Sequence, residues 1–255
     1  MTEAHIQVSI PHEQQTVKLE KHDKLKLIPL DPKILSNVNI KKLSSDEKLF
    51  IFDIDNTLYK QANGMHENIV ELITNYSKSI IDNEKEAVEK VGEYYQSYGV
   101  TVKGYLKEHP QKACLKKWAE AFDEKLQIEK YLRPDPDLQE ILKNLKNTKN
   151  VRLWCLTNSS QNVGYRMLKS LDLLDHFDGM LHCAYNNHGD FMCKPQPQVY
   201  EFIVNLFGVK KSENVHVFED RELNLNAPAK IGWNTHFITV DNHIKKVLTN
   251  LMVNL

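Results

Sequence analysis

The chain has 255 residues, 41% of them hydrophobic and 26% charged, which leaves room for one α/β domain carrying a sizeable insertion. Lys plus Arg (33) nearly cancels Asp plus Glu (34), so no bulk field draws the chain to nucleic acid or an anionic membrane. No apolar stretch approaches the roughly 18 residues that span a bilayer, and the opening MTEAHIQVSIPHEQQ is too polar for a signal peptide.

Residues 1–47 are polar and lysine-rich, with prolines at Pro11, Pro29 and Pro32. They read as a loosely ordered extension with, at most, short segments docked on a core. Leu49–Phe52 is an unbroken apolar run, the pattern of a strand buried on both faces of a parallel sheet. Directly after it comes Asp53-Ile54-Asp55-Asn56-Thr57. Open α/β sheets place their chemistry just past the C-terminal ends of their strands. Two carboxylates there, offset by two and followed by a small hydroxyl, point to a nucleophile, its acid/base partner and a metal. Taken alone, the segment reads equally well as an Asx-rich turn.

From about Gly64 to Lys130 no convincing strand occurs. Apolar residues recur at helical spacing: Ile69, Leu72, Ile73, Tyr76 and Ile80, then Leu115, Trp118, Phe122 and Leu126. Residues 64–130 therefore read as a helical cap inserted into a core of residues 48–63 and 131–255. Leu132-Arg133-Pro134-Asp135-Pro136 marks the return to that core. Strand-like runs follow at Val151–Leu156, Gly179–His182, Val215–Phe218 and His236–Val240, alternating with helical stretches near 135–147, 161–171 and 197–207. The alternation predicts an α/β fold: a Rossmann-like parallel sheet of about five strands flanked by helices. The cysteines Cys114, Cys155, Cys183 and Cys193 lack zinc-ligand spacing, so reduced thiols in a cytoplasmic or nuclear protein are expected.

Further chemistry-bearing residues fall at strand or helix boundaries. Leu156-Thr157-Asn158 precedes a helix start, where free N–H groups and a hydroxyl suit an anion, although Thr and Asn also serve as plain N-caps. Lys194-Pro195 precedes the helix at 197–207; its lysine is a point charge for a phosphate oxygen or a solvated surface group. Phe218-Glu219-Asp220 ends an apolar strand with adjacent acids, which repel unless a cation separates them, and Mg²⁺ with oxygen ligands suits them.

In this order the four motifs resemble those of the haloacid dehalogenase-like phosphatases, over about Leu49 to Val240. The resemblance implies that the Leu49–Phe52 strand lies between Val151–Leu156 and Val215–Phe218. The phrases FIFDIDNTLY, YYQSYGVTVKGY (Tyr94 to Tyr105), RPDPDLQEIL, LTN, FDGMLHCAYN and CKPQPQVYEF are similar to the pyrimidine 5′-nucleotidases of fungi and plants. What the likeness implies is Mg²⁺-dependent hydrolysis of UMP- or CMP-like phosphomonoesters through an aspartyl-phosphate. Asp53 would attack phosphorus and Asp55 would act as acid and base. Thr157, Asn158 and Lys194 would bind the phosphoryl oxygens. The metal would rest on Asp53, the main-chain carbonyl of Asp55 and Asp220, with Glu219 as an alternative ligand.

Tyr59, Tyr98 and Lys103 are candidate cap or rim contacts, against packing for the tyrosines and solvation for the lysine. Two departures stand out. Arg221 replaces the subfamily's serine, and would add a phosphate contact, narrow the pocket or point away. Pro228 replaces a glycine, and is expected in the first helical turn after Asn224. The alternatives are a sugar-phosphate or other small phosphomonoester phosphatase, a phosphomutase, or a catalytically weak regulatory member. Neither base preference nor oligomeric state is legible in the sequence.

Overall fold

The computed structural model describes residues 25–60 and 63–253. Six strands, β1 (Lys26–Leu30), β2 (Lys48–Phe52), β3 (Val151–Leu156), β4 (Gly179–Cys183), β5 (Val215–Glu219) and β6 (Asn234–Phe237), pair in parallel in the order β1-β4-β3-β2-β5-β6. β2 lies between β3 and β5, and chain order reverses around it, which makes the ends of β2 and β5 a switch point. Leu49, Phe50, Ile51 and Phe52 are all 0% exposed. Leu49 and Ile51 join the core on one face, with Trp154 and Val199, while Phe50 and Phe52 join the other, with Leu142 and Leu168.

The sheet has one strand more than the five expected. β1 falls within the segment read as an extension, and it pairs only with β4 at the sheet edge. Pro29 lies inside it, a residue an edge strand tolerates because one side of its backbone needs no partner. The earlier part of that extension, residues 1–24, lies outside the described residues. β6 (Asn234–Phe237) starts earlier than the expected His236–Val240 run and overlaps only its first two residues.

Between β2 and β3 the chain forms α1 (Met65–Ile80), α2 (Glu84–Tyr98), α3 (Thr101–Glu108), α4 (Leu115–Trp118), a π-helical turn (Ala119–Asp123) and α5 (Ile128–Tyr131). Edge-to-face aromatic contacts of Tyr76 with Tyr105 and Trp118, and of Tyr94 with Tyr105, hold these inserted helices together. Gly104 permits that packing, since a Cβ there would lie 2.3 Å from Tyr94 Cγ. The chain then re-enters the sheet layers through α6 (Pro136–Asn147), capped by the Asp135 carboxylate and started by Pro136. α7 (Gln161–Ser170), α8 (Pro197–Phe207), α9 (Glu222–Lys230) and α10 (Ile244–Met252) complete the fold. No helix among the described residues is long and apolar enough to cross a membrane.

Pro228 is a correction. α9 starts at Glu222, so Pro228 sits well inside the helix and not in its first turn. A proline there cannot donate to the carbonyl four residues back, that of Asn224. The Tyr200 hydroxyl on α8 donates to that carbonyl and replaces the missing backbone bond.

Candidate active site

Asp53 sits one residue past β2, where its N–H still donates to Phe218 O (2.9 Å) and continues the strand pairing. Asn56 adopts φ 55°, a left-handed conformation that asparagine tolerates better than most residues. The turn it makes lets the Thr57 hydroxyl reach back and donate to Asp53 Oδ2 (3.1 Å). The carboxylate's other oxygen, Oδ1, accepts from Lys194 Nζ at 2.6 Å. Asp55 is held independently: the Tyr59 hydroxyl donates to Oδ1 (3.2 Å) and the Ser159 hydroxyl to Oδ2 (3.4 Å).

Lys194 is 2% exposed and bridges two strand ends, since its Nζ also donates to Glu219 Oε2 at 2.7 Å. The other Glu219 oxygen accepts from Asn224 Nδ2 (2.9 Å), so both are engaged. Burial, the largest influence, disfavours the ammonium, yet Asp53 and Glu219 overcome it and hold the Lys194 pKa well above the ordinary lysine value. Burial raises Asp53, Asp55 and Asp220 to about 6 each. Repulsion among the carboxylates adds to it, from Glu219 on Asp53 and from Asp53 on the other two.

Carboxylate oxygens of Asp53, Glu219 and Asp220 lie within 4.8 Å of one another. This hard, all-oxygen donor set fits Mg²⁺. The four thiols are free, and Cys155, Cys183 and Cys193 are buried.

Thr157 is fully buried at the end of β3, with Oγ1 accepting from Ser159 N (3.0 Å) and its hydroxyl proton left to donate elsewhere. Asn158 departs from the expected phosphate contact. Its amide oxygen accepts from Lys194 N (2.8 Å), and its Nδ2 donates to Lys194 O (2.9 Å) and Gly99 O (3.3 Å). The side chain is therefore a brace for the Lys194 loop, and the main-chain carbonyl of Asn158 accepts from the Tyr185 hydroxyl (2.8 Å).

The rim candidates separate clearly. Tyr59 reaches Asp55. Tyr98 donates its hydroxyl to Glu108, while its main-chain oxygen accepts from Cys193 Sγ (3.1 Å). Lys103 is buried and donates to Phe191 O (2.7 Å), away from the carboxylates' hydrogen bonds. Arg221 stacks its guanidinium on Tyr95 of α2, 3.8 Å from the ring centre.

Three contacts from the inserted helices were not singled out from the sequence. Gly99 caps α2 at φ 81°, and a Cβ there would lie 2.3 Å from Lys194 O, so only glycine lets the helices approach the lysine loop. Tyr95 is the second. The third is Asp123 in the π-helical turn, whose carboxylate accepts from the Ser160 hydroxyl (3.0 Å) and is raised to about 6, chiefly by burial. The YYQSYG phrase hinted at the first two, but nothing local marks Asp123.

The family model for haloacid dehalogenase-like hydrolases matches residues 47–232. Phosphate metabolism protein 8 of Saccharomyces cerevisiae is 34% identical over 191 residues, covering 72% of this chain and 59% of that protein. The chain thus spans less than two thirds of the yeast relative's length. Among solved structures, a haloacid dehalogenase family enzyme of Bacteroides thetaiotaomicron superposes with a TM-score of 0.51 at 15% identity, covering 79% of this chain and 98% of that one. A dehalogenase structure superposes with a TM-score of 0.51 at 17% identity, covering 84% and 99%. At such identities these two establish the shared fold alone.

Proposed function

Because the chain belongs to the haloacid dehalogenase-like hydrolases, we propose that it is a Mg²⁺-dependent phosphomonoesterase acting on pyrimidine nucleoside 5′-monophosphates such as UMP and CMP. The observation that carries phosphoryl transfer is the paired, separately braced Asp53 and Asp55 beside the Lys194 ammonium. The pyrimidine preference rests on the likeness of the inserted-helix phrase, YYQSYGVTVKGY, and of the core phrases around it.

In this mechanism an oxygen of Asp53 attacks phosphorus in line and forms an aspartyl-phosphate. Lys194 and the Thr157 hydroxyl donate to the phosphoryl oxygens as charge spreads over them. When bound, Mg²⁺ supplies Lewis-acid charge compensation; Asp53, Asp220 and the main-chain carbonyl of Asp55 would hold it. Glu219 is nearby but already committed to Lys194 and Asn224.

Asp55, raised to about 6 by burial and by Asp53, keeps a protonated fraction at mildly acidic to neutral pH and can exchange a proton in both directions. It protonates the departing ribose oxygen, and the resulting carboxylate takes a proton from the water that hydrolyses the aspartyl-phosphate. The Tyr59 and Ser159 hydroxyls orient it through both steps. Residues 64–130 act as the cap, closing over the carboxylates and excluding bulk water during the first transfer. Cytosolic or nuclear residence, with a small phosphomonoester and neither a nucleic acid polymer nor a membrane as partner, completes the reading.

The test is phosphate release from UMP, CMP, AMP, GMP and hexose phosphates, with and without Mg²⁺. Expected is Mg²⁺-dependent turnover with UMP or CMP ahead of the purine nucleotides in kcat/KM. A tenfold advantage for a hexose phosphate, about 1.4 kcal/mol of transition-state discrimination, would move the substrate class to sugar phosphates.

A further inference from the structure

Arg221 and Tyr95 meet across the junction between the sheet and the inserted helices. The guanidinium carbon lies 3.8 Å from the ring centroid, within the distance of a close cation–π stack. Arg221 directly follows Asp220 and occupies the N-cap position of α9. An arginine has no acceptor with which to cap a helix, so its side chain is available to reach outward.

The neighbouring tyrosines of α2 are spoken for. Tyr94 is packed among Tyr98, Tyr105 and His109, and Tyr98 gives its hydroxyl to Glu108. Tyr95, in contrast, is 40% exposed. It lies against Arg221, the residue that follows Asp220, and so stands beside the strand end that carries the acidic cluster. An exposed aromatic ring is thus held next to Asp220 with a cation against it.

We propose that Tyr95, clasped by Arg221, is a specificity-determining residue on which the planar base of the leaving nucleoside stacks while its phosphoryl group lies on Asp53. This rests on the phosphomonoesterase reading, but not on a preference for pyrimidines. A ring already fixed by a stacked guanidinium loses little freedom when a base settles on it. Every base offers a π face, so the platform selects nucleotides over phosphomonoesters that lack a base. It also accounts for a bulky cation beside the metal ligands: the clasp sets the height of α2 above Asp220.

The experiment compares UMP with ribose 5-phosphate, which keeps the sugar and lacks the base, in the wild type, Tyr95→Ala, Tyr95→Phe and Arg221→Ser proteins. Tyr95→Ala should lower the ratio of kcat/KM for UMP to that for ribose 5-phosphate by about tenfold or more, mainly through KM for UMP, as loss of one base–aromatic stack does. Tyr95→Phe should retain the ratio, and Arg221→Ser should lower it severalfold. If Tyr95→Ala leaves the ratio unchanged, whether both substrates fall together or neither does, the platform is refuted. Should wild type hydrolyse neither compound, the phosphatase reading fails on its own. Calorimetric binding of uridine against ribose then decides the platform: base-dependent binding lost in Tyr95→Ala supports it, and wild type without base-dependent binding overturns it.

Discussion

Asp53, Asp55 and Lys194 at the strand ends are each fixed by two side-chain hydrogen bonds, from groups that are themselves mostly buried. Above them, the side chains of Tyr95 and Asp123 meet the sheet half through Arg221 and Ser160 respectively. The contrast is one of division of labour. The floor holds reacting groups in a single geometry, which phosphoryl transfer demands. The roof is tied to that floor along its rim, where Lys103 donates to Phe191 O, Arg166 to Asp123 O and Leu126 O, and Lys107 pairs with Asp190. At Gly99 the backbone of the roof packs directly on the backbone of the lysine loop.

The sharpest way to break this contrast is to remove one floor group and ask whether the fold notices. Asp53→Asn should lower kcat for UMP by at least about 10³-fold, because an amide is a far poorer nucleophile. The same protein should melt no lower than wild type at pH 8. The sign follows from the shift: Asp53 titrates at about 6 in the folded chain against 3.8 unfolded, so its ionised form opposes folding above that pH. An inactive variant with a clearly lower Tm in the metal-free protein would show that the carboxylate is a structural support instead.

Gly99→Ala addresses the junction. The added Cβ would clash with Lys194 O and would require φ 81° of an alanine. About 1–3 kcal/mol of destabilisation is expected, read from denaturant unfolding, with a loss of kcat exceeding that of an exposed control such as Gly92→Ala. Equal behaviour of the two variants would mean that the helices do not set the position of the lysine loop.

A smaller effect separates metal from scaffold. Asp53, Asp55 and Asp220 are all raised to about 6. Their favourable contribution is fully present below about pH 4 and is lost as pH rises through 6, leaving mutual repulsion in the metal-free protein. Mg²⁺ should therefore raise Tm more at pH 8 than at pH 5, as scanning calorimetry would show. A shift independent of pH would place the cation elsewhere.

What the sequence disclosed follows the same division. β2 was legible because a strand buried on both faces is continuously apolar, and β3 and β5 because each is apolar apart from Arg152 or His216 and ends in polar residues. The Asp53, Asp55, Thr157, Lys194 and Glu219–Asp220 positions could be named for that reason. β1 was not legible, since KLIPL is an edge strand with a proline and lysine-rich flanks, and only β4 reveals its pairing. The bracing role of the Asn158 side chain was not legible, because its amide is engaged by long-range contacts to Lys194 and Gly99. Asp123 and Tyr95 escaped for the same reason: each finds its partner on the other half of the molecule. Pro228 could be placed only once the hydroxyl of Tyr200, on a different helix, was seen to fill the gap.

The claim that Asp53 attacks while Asp55 moves protons can be tested by trapping the covalent intermediate. Asp55→Asn should still be phosphorylated by p-nitrophenyl phosphate, whose leaving group needs no proton. It should then stall, because no base activates the hydrolytic water; general acid–base catalysis is worth about 10²–10⁴-fold at such a step. Rapid quenching followed by peptide mass spectrometry should find the phosphoryl group accumulating on Asp53 in this variant and only transiently in wild type. A phosphoryl group on any other residue, or steady turnover by Asp55→Asn with no adduct, would contradict the account.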